Sequence, residues 1–279
     1  INDILAGINQ TERDNFMDIA ISEQPDSQSN ENWIVKIVKE NWQMFLKGAG
    51  VTLLISLVGT IVGTFIGLGI GLFRTIPTPK NMVNKILFKL LNTLFSIYIE
   101  IFRGTPMIVQ AMVIYYGSSQ AFGIDMNPLA AALFIVSINT GAYMTEIVRG
   151  GIFSVDKGQF EAASAIGMTH GQTMVNVVIP QVFRNILPAM GNEFVINIKD
   201  TSVLNVIAVT ELFFQAKTVA GSNFRFFDTF FVVCVIYFVM TFTVTRILRF
   251  VEKRMDGTGE YAPYANQMQT AILERKDDK

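Results

Sequence analysis

The side chains in this sequence with the most unusual placement for their chemistry are ionisable and amide groups inside apolar stretches. The apolar segment 188–211 contains Glu193, Lys199, Asp200 and Glu211. Charged groups at membrane depth are costly and normally face a helix-bundle interior or an aqueous pathway. We therefore expect this segment to be a helix that lines an aqueous pathway, together with nearby polar residues. The candidate pathway residues are Asn139, Thr140, Asn192, Glu193, Asn197, Lys199 and Asp200.

Each of these residues also has a purely structural interpretation. Amide and hydroxyl groups in apolar helices form helix-to-helix hydrogen bonds, and Lys199 with Asp200 could form an ion pair within the membrane. The sequence alone leaves contact with a solute and such internal bonding open.

Several kinds of chemistry are excluded or disfavoured. Cys234 is the single cysteine and His170 the single histidine, which excludes an internal disulfide and argues against a structural zinc site. No G-x-x-x-x-G-K-[ST] segment occurs, so the chain lacks a Walker A phosphate site and is not its own ATPase. No nucleophile, base and orienting group cluster together, which argues against a membrane enzyme.

The composition indicates a membrane protein. Apolar residues make up 51% of the 279 residues and charged residues 16%, against about a quarter charged in soluble domains. Residues 51–73, 104–124 and 126–145 contain no charge, and stretches of this length can cross a bilayer as helices. The formal net charge of −1 argues against a nucleic-acid partner, because neutralising phosphates requires a basic surface.

We predict five membrane-spanning helices. The second and third begin at the capping pairs Thr105–Pro106 and Asn127–Pro128. The fourth is the charged apolar segment 188–211. The spans are placed near residues 51–73, 105–116, 127–146, 188–211 and 229–245.

Four glycines recur every four residues in the first span. Gly59, Gly63, Gly67 and Gly71 lie on one helix face, where another helix can approach closely. The spacing fits packing within the bundle and also a seam between two copies of the chain.

The distribution of charge predicts orientation and domain boundaries. Residues 74–103 and 246–254 are rich in lysine and arginine, which places them in the cytosol, whereas residues 1–47 are acidic, as an external segment would be. Residues 33–50 suit an interfacial helix or an extension of the first span. The predicted domains are an external remnant with linker (1–32), an interfacial helix (33–50), a membrane domain (51–254) and a cytosolic tail (255–279).

The cytosolic segment 147–187 has the pattern of a helical hairpin. Asp156 can cap a helix that has Gln159 as its third residue, and Gly167 suits the end of that helix. Thr169 and Gln172 then form a second capping box, and Pro180 is expected to limit the helix that follows.

The hairpin resembles a known family. Glu161, Ala162, Ala163 and Gly167, followed by Val177, Ile179 and Pro180, resemble the EAA loop of bacterial ABC importer permeases. Three further segments are similar to the polar amino acid branch of that family, and the resemblance covers about residues 41–255. The segments are FRGTPMIVQAMVIYYG (102–117), AYMTEIVRGGI (142–152) and NEFVINIKDTSV (192–203).

The resemblance implies an all-α type I ABC importer permease (MetI-like) with five transmembrane helices and a cytosolic coupling helix. Such a permease forms a dimer in the bacterial plasma membrane and contacts a separate ATPase, which binds ATP and Mg²⁺, while the permease itself binds no cofactor. By position, the residues that would couple to the ATPase are Gln159, Glu161, Ala162, Ala163, Gly167 and Met168.

The implied function is uptake of polar amino acids, with glutamine the first expectation and glutamate or asparagine next. Nothing in the pore sequence decides among glutamine, glutamate, asparagine, arginine and histidine. Because the chain begins with Ile1 rather than Met, we expect it to be a fragment or a processed product. Some members of the family fuse a substrate-binding domain ahead of the permease, and residues 1–21 resemble the last helix of such a domain. The alternative from another class is an ion-coupled secondary transporter or channel, which internal repeats would favour, although the sequence shows none.

Overall fold

The computed structural model describes residues 32–255, and all regular secondary structure in that range is helical. The predicted remnant in residues 1–31 and the tail beyond residue 255 lie outside the described residues. The helices are α1 (Trp33–Phe73), α2 (Met82–Gly104), α3 (Met107–Phe122), α4 (Pro128–Phe153), α5 (Lys157–Ala165), α6 (His170–Thr173), α7 (Ile179–Asp200), α8 (Leu212–Asn223) and α9 (Phe226–Met255). A π-helical turn, Met174–Val178, precedes α7, and a 3₁₀ segment, Thr201–Ile207, follows it.

The first helix is longer than the predicted span. α1 runs without a break from Trp33 to Phe73, so the expected boundary between an interfacial helix and a span at residue 50 is not an interruption of the helix. The chain divides into two compact units, and the boundary between them lies within this helix, between Glu40 and Asn41. Everything described below belongs to the second unit.

Three described helices are long and apolar enough to cross a membrane by themselves, namely α1, α4 and α9. A fourth crossing results if the helical stretch His170–Ile207 and α8, which meet at an angle of 56°, form one bent span. The predicted second span corresponds to α3, whose 16 residues are too few for it to be counted among these helices. The count of five spans therefore stays a prediction.

Several helix starts lie where local capping residues in the sequence predict them. The Asn127 side chain accepts a hydrogen bond from the Leu129 amide, with Pro128 as the first residue of α4. The Asp156 carboxylate accepts from the Gly158 amide at 2.7 Å and begins α5. Thr169 and Gln172 form the predicted capping box at the start of α6. These three predictions are confirmed.

The prediction that Thr105 caps the following helix is wrong. Its hydroxyl donates to the Ile101 carbonyl at 2.7 Å, so Thr105 ends α2, and Pro106 precedes α3 without a side-chain cap. Proline forces the residue before it into an extended conformation, and Thr105 has φ −123° and ψ 147°. The side chain of Thr105 is thereby left at the end of the preceding helix.

Pro180 does not limit the second helix of the hairpin. The chain continues through the π-helical turn into α7, which extends to Asp200. The Ile179 amide donates to the Met174 carbonyl, five residues earlier. A proline in a regular helix clashes with the carbonyl four residues before it, and a wider turn at this point relieves that clash. The hairpin and the predicted pathway segment are thus joined by continuous helix.

The glycines of the first span pack inside the chain. A β carbon added at Gly63 would lie 2.7 Å from Cβ of Thr140, and one at Gly67 would lie 2.5 Å from Cβ of Met144. Gly59 and Gly71 lie equally close to Val136 and Val148, which are on α4 together with Thr140 and Met144. The stripe is therefore the contact between α1 and α4, and of the two interpretations the bundle contact is the one observed.

A hydrophobic cluster attaches the hairpin to the bundle. Its buried members come from α4, from the segment after α4 and from the π-helical turn and α7; Phe160 of α5 packs against it. The buried members are Met144, Val148, Ile152, Val155, Met174, Val178, Val182 and Ile186. This packing fixes the hairpin relative to α4 and α7.

Candidate functional site

Three of the predicted pathway residues are buried in hydrogen-bond networks between helices. The amide nitrogen of Asn197 on α7 donates to Thr60 of α1 at 2.9 Å and to Thr140 of α4 at 3.0 Å. The exposed fractions of Thr140 and Asn197 are 1% and 4%. These contacts match the helix-to-helix interpretation and join three helices at one point.

Asn139 belongs to a second network, which joins α4 to α2 and α3. Its amide nitrogen donates to the side-chain oxygen of Gln110 at 2.8 Å. The Gln110 amide in turn donates to the Phe102 carbonyl at 3.0 Å and to the Thr105 carbonyl at 2.9 Å. Gln110 therefore satisfies the open carbonyls at the α2–α3 corner, a role that sequence reasoning missed.

The remaining pathway candidates lie on the outer surface of α7. Asn192, Lys199 and Asp200 are exposed, and Glu193 is half-buried. Within residues 32–255 no ion pair joins Lys199 to Asp200. The considered intramembrane pair is therefore not observed.

Lys199 lines a cleft between α7 and α9. The cleft has a volume of about 250 Å³ and is bounded by Val195, Lys199, Phe238, Thr241, Phe242, Thr245, Arg246 and Arg249. It combines three cationic side chains with two aromatic rings and two hydroxyl groups. Sequence reasoning treated Arg246 and Arg249 as charges of the cytosolic end and did not connect them with Lys199.

Glu211 has a structural role that accounts for its place in an apolar segment. Its buried carboxylate accepts from the amides of Phe213 at 2.8 Å and Phe214 at 2.7 Å, and the Tyr237 hydroxyl donates to it at 3.1 Å. These are the open amides at the start of α8, which an N-cap side chain satisfies. Glu211 thus begins α8 and links it to α9.

A charged cluster surrounds Glu146, and sequence reasoning missed it. Its carboxylate accepts from Arg149 at 2.6 Å and lies 4.0 Å from the guanidinium groups of both Arg74 and Arg103. Arg74 also donates to Ser96 at 3.2 Å. The cluster connects the end of α1 with α2 and α4 just before the hairpin.

The hairpin presents most of the predicted coupling residues to solvent. Gln159, Glu161, Ala162 and Gly167 are exposed and Met168 is half-buried. Ala163 differs, because only 4% of it is exposed and it faces the interior of the chain.

Gly167 has φ +81°, a left-handed conformation that favours glycine and ends α5 with a tight turn. Beside it, Ile166 is 77% exposed. Sequence reasoning missed this side chain, which adds an apolar group to the exposed face.

The known proteins that this chain resembles are all membrane components of transport systems. A family model described as binding-protein-dependent transport system inner membrane component matches residues 85–257. The glutamine transport system permease protein GlnP of Escherichia coli (strain K12) is 38% identical over 213 residues, covering 76% of this chain and 93% of that protein. The probable glutamine ABC transporter permease protein GlnM of Bacillus subtilis (strain 168) is 32% identical over 222 residues, covering 80% and 98%.

Solved structures agree with the sequence relatives. An amino acid ABC transporter crystallised with histidines has a chain that is 37% identical, with a TM-score of 0.69, covering 79% of this chain and 98% of that one. The MetNI methionine ABC transporter in an inward-facing conformation shares the fold at 18% identity, with a TM-score of 0.59 and coverage of 76% and 98%. This chain therefore belongs to the family of binding-protein-dependent transport system inner membrane components, and it is a permease of the ABC amino acid importers.

Proposed function

We propose that this permease imports a polar amino acid by alternating access. Glutamine is the first candidate substrate, and glutamate and asparagine are the next candidates. The relatives named as glutamine permeases support the substrate, since they match almost their whole length. We attribute the energy to ATP hydrolysis on a separate ATPase subunit, since the relatives are permeases of ABC transporters and this chain contains no Walker A segment of its own.

The observation that carries the proposed coupling is the exposed face of the hairpin. Glu161, Ala162 and Ile166 lie on its solvent side, while Phe160 and Ala163 hold its other side against the chain. A small residue such as Ala162 lets a partner approach closely, Glu161 offers a charge for a basic groove, and Ile166 offers apolar area. Gln159, Gly167 and Met168 complete the proposed contact with the ATPase, and Ala163 contributes by holding the helix in place.

The proposed pathway follows the exposed side of α7. Asn192, Glu193, Lys199 and Asp200 lie on the accessible part of this helix, and Lys199 borders the cleft with α9. Asn139, Thr140 and Asn197 are internal hydrogen-bonding residues, and we assign them to holding the helices that border the pathway.

The proposed assembly is a homodimer in the bacterial plasma membrane. The charge distribution supports an external N-terminus and a cytosolic C-terminus. Residues 1–32 are proposed to be the remnant of a fused substrate-binding domain with its linker, and a separate substrate-binding protein is the other arrangement. Each half of the dimer would contact one ATPase subunit.

Gentle purification of the tagged permease from its native host tests the coupling contact. We expect an ATPase subunit to co-purify with the wild-type permease. Glu161→Lys should lose most of that subunit, because the substitution places a cation at the exposed contact face.

Glu100→Lys is the matched control, since Glu100 is an exposed carboxylate on α2, outside the hairpin. It should retain the ATPase subunit. Equal recovery of the subunit with Glu161→Lys and with wild type would contradict the assignment of the hairpin.

A further inference from the structure

The first half of α2 is almost entirely exposed. Residues 81–90 are all exposed except Phe88, which is half-buried. The Asn81 side chain begins the helix by accepting from the Val83 amide at 3.1 Å. Large apolar side chains are exposed by half or more at six positions, namely Met82, Val83, Ile86, Leu87, Leu90 and Leu94. A continuous exposed apolar surface of this kind marks a contact with something outside the chain.

The apolar and cationic side chains of this segment lie on different faces of the helix. In an α-helix, residues four apart form a row on one face. Two neighbouring rows are apolar, one with Met82, Ile86, Leu90 and Leu94 and the other with Val83, Leu87 and Leu91. Lys85 and Lys89 form a row nearly opposite the second of these. Such segregation is typical of a helix that lies in the interface between a bilayer and water.

Aromatic contacts place the middle of α2 at the end of the first span. The ring of Phe73, the last residue of α1, lies 5.2 Å from the ring of Phe88 and 5.4 Å from the ring of Phe95. Residues 88–95 are therefore level with the predicted cytosolic end of the span 51–73. The preceding residues of α2 extend from this contact by about 9 Å at the rise of an α-helix. Their apolar rows meet either the bilayer or water.

Charge decides between these surroundings and favours an anionic membrane surface. Residues 80–90 contain Lys80, Lys85 and Lys89 and no aspartate or glutamate. Within residues 32–255, none of these three lysines forms an ion pair. A lysine beside an apolar surface can cover it with its stem while its ammonium group reaches the headgroups, and anionic lipids attract such lysines.

Length and composition also argue against α2 crossing the bilayer by itself. Its 23 residues would be long enough. It is nevertheless not among the described helices that are apolar enough to span a membrane.

We propose that residues 82–94 lie in the cytosolic interface of the bilayer and that Lys80, Lys85 and Lys89 bind the headgroups of anionic phospholipids. The two apolar rows enter the boundary of the acyl chains, and Phe88 holds the segment to the end of α1. This assignment rests on the predicted cytosolic placement of residues 74–103 and does not depend on which solute the permease carries.

Spin-label accessibility tests the placement. Single variants from Met82→Cys to Leu90→Cys are made in a Cys234→Ala background, labelled with a nitroxide and reconstituted in liposomes of phosphatidylcholine and phosphatidylglycerol. Accessibility to oxygen, which concentrates in lipid, should be highest at Val83, Ile86 and Leu90. Accessibility to a water-soluble nickel reagent should be highest at Lys85 and Lys89, so that both signals repeat about every 3.6 residues.

Two results of this scan would overturn the proposal. Oxygen accessibility that rises steadily from Met82 to Leu90 would mean that the segment crosses the bilayer. Low accessibility to both reagents at Ile86 and Leu90 would mean that protein, either the ATPase or a second copy of the chain, covers the apolar rows.

Quenching by labelled lipids tests the role of the lysines. A bimane group on Ile86→Cys, in the same background, reports which lipids lie beside the segment, with spin-labelled phosphatidylglycerol or phosphatidylcholine as the quencher. Phosphatidylglycerol should quench more strongly. Combining Lys85→Gln with Lys89→Gln should lower that preference by at least about fivefold, which corresponds to about 1 kcal/mol for one lysine.

Lys217→Gln is the matched control, because Lys217 is an exposed lysine on α8, outside this segment. It should keep the preference for phosphatidylglycerol. Equal quenching by the two lipids while all the lysines are present would overturn the assignment of anionic headgroups.

Discussion

Buried amides hold the helices of this permease together at single points. Asn197 reaches two hydroxyl groups on two other helices, and Asn139 reaches Gln110 at the α2–α3 corner. Hydrogen bonds of this kind contribute about 0.6 kcal/mol each on average between membrane helices. Because Asn197 makes two of them, its loss should be measurable.

Asn197→Ala is therefore predicted to lower the free energy of unfolding by about 1 kcal/mol and to leave the hydroxyls of Thr60 and Thr140 without this partner. Thermal unfolding of the purified permease in detergent measures the change. Asn192→Ala provides the comparison, since Asn192 is exposed on the same helix. An equal melting temperature for the two variants would contradict the role given to Asn197.

The sequence identified which residues of this group are unusual but not what they contact. An amide in an apolar segment is visible from residue type alone, so Asn139 and Asn197 could be selected in advance. Their partners Gln110 and Thr60 lie 29 and 137 residues away, and no local pattern encodes such distances. Glu211 was likewise noticed as a charge, while its role as the cap of α8 depended on where that helix begins.

At the scale of elements, the contact between α1 and α4 depends on residues without side chains. Gly63 and Gly67 face Thr140 and Met144 so closely that an added methyl group would meet both side chain and backbone of α4. The helices can then approach closely, which increases van der Waals contact within the membrane.

Gly67→Ala is predicted to destabilise the permease by about 1–3 kcal/mol, because the new β carbon forces the two helices apart. Gly69→Ala lies on the same helix with no atom within 4 Å of its β carbon, so it should leave stability unchanged or raise it by up to about 1 kcal/mol. Denaturation midpoints of both variants in the same detergent measure the difference. A Gly67→Ala variant as stable as Gly69→Ala would contradict the close contact between α1 and α4.

Helix ends were predictable where the signal is local, and not where it depends on neighbouring elements. Asn127, Asp156 and Thr169 each bond to an amide two or three residues ahead, so sequence spacing determines the contact. Thr105 could bond forwards or backwards, and the extended conformation before Pro106 selected the backward bond. At Pro180 the helix does not end. A π-helical turn precedes the proline and lets the helix continue, which residue type alone does not reveal.

At the scale of the whole molecule, α7 connects the hairpin, which we propose to contact the ATPase, with the cleft between α7 and α9. Its first turn continues from the π-helical turn beside the hairpin, and its last turn carries Asn197 and Lys199. A helix of 22 residues is about 33 Å long. If the hairpin contacts the ATPase as proposed, its displacement is transmitted along α7, because the hydrophobic cluster that includes Val178 and Val182 packs the hairpin against this helix.

The most direct test of this account is amino acid uptake by proteoliposomes containing the permease, its co-purified ATPase and the receptor, with ATP supplied on the ATPase side. The account predicts that glutamine accumulates only when ATP can be hydrolysed, and that ionophores collapsing the proton and sodium gradients leave the rate unchanged. Uptake that persists without ATP and stops when those gradients collapse would contradict it.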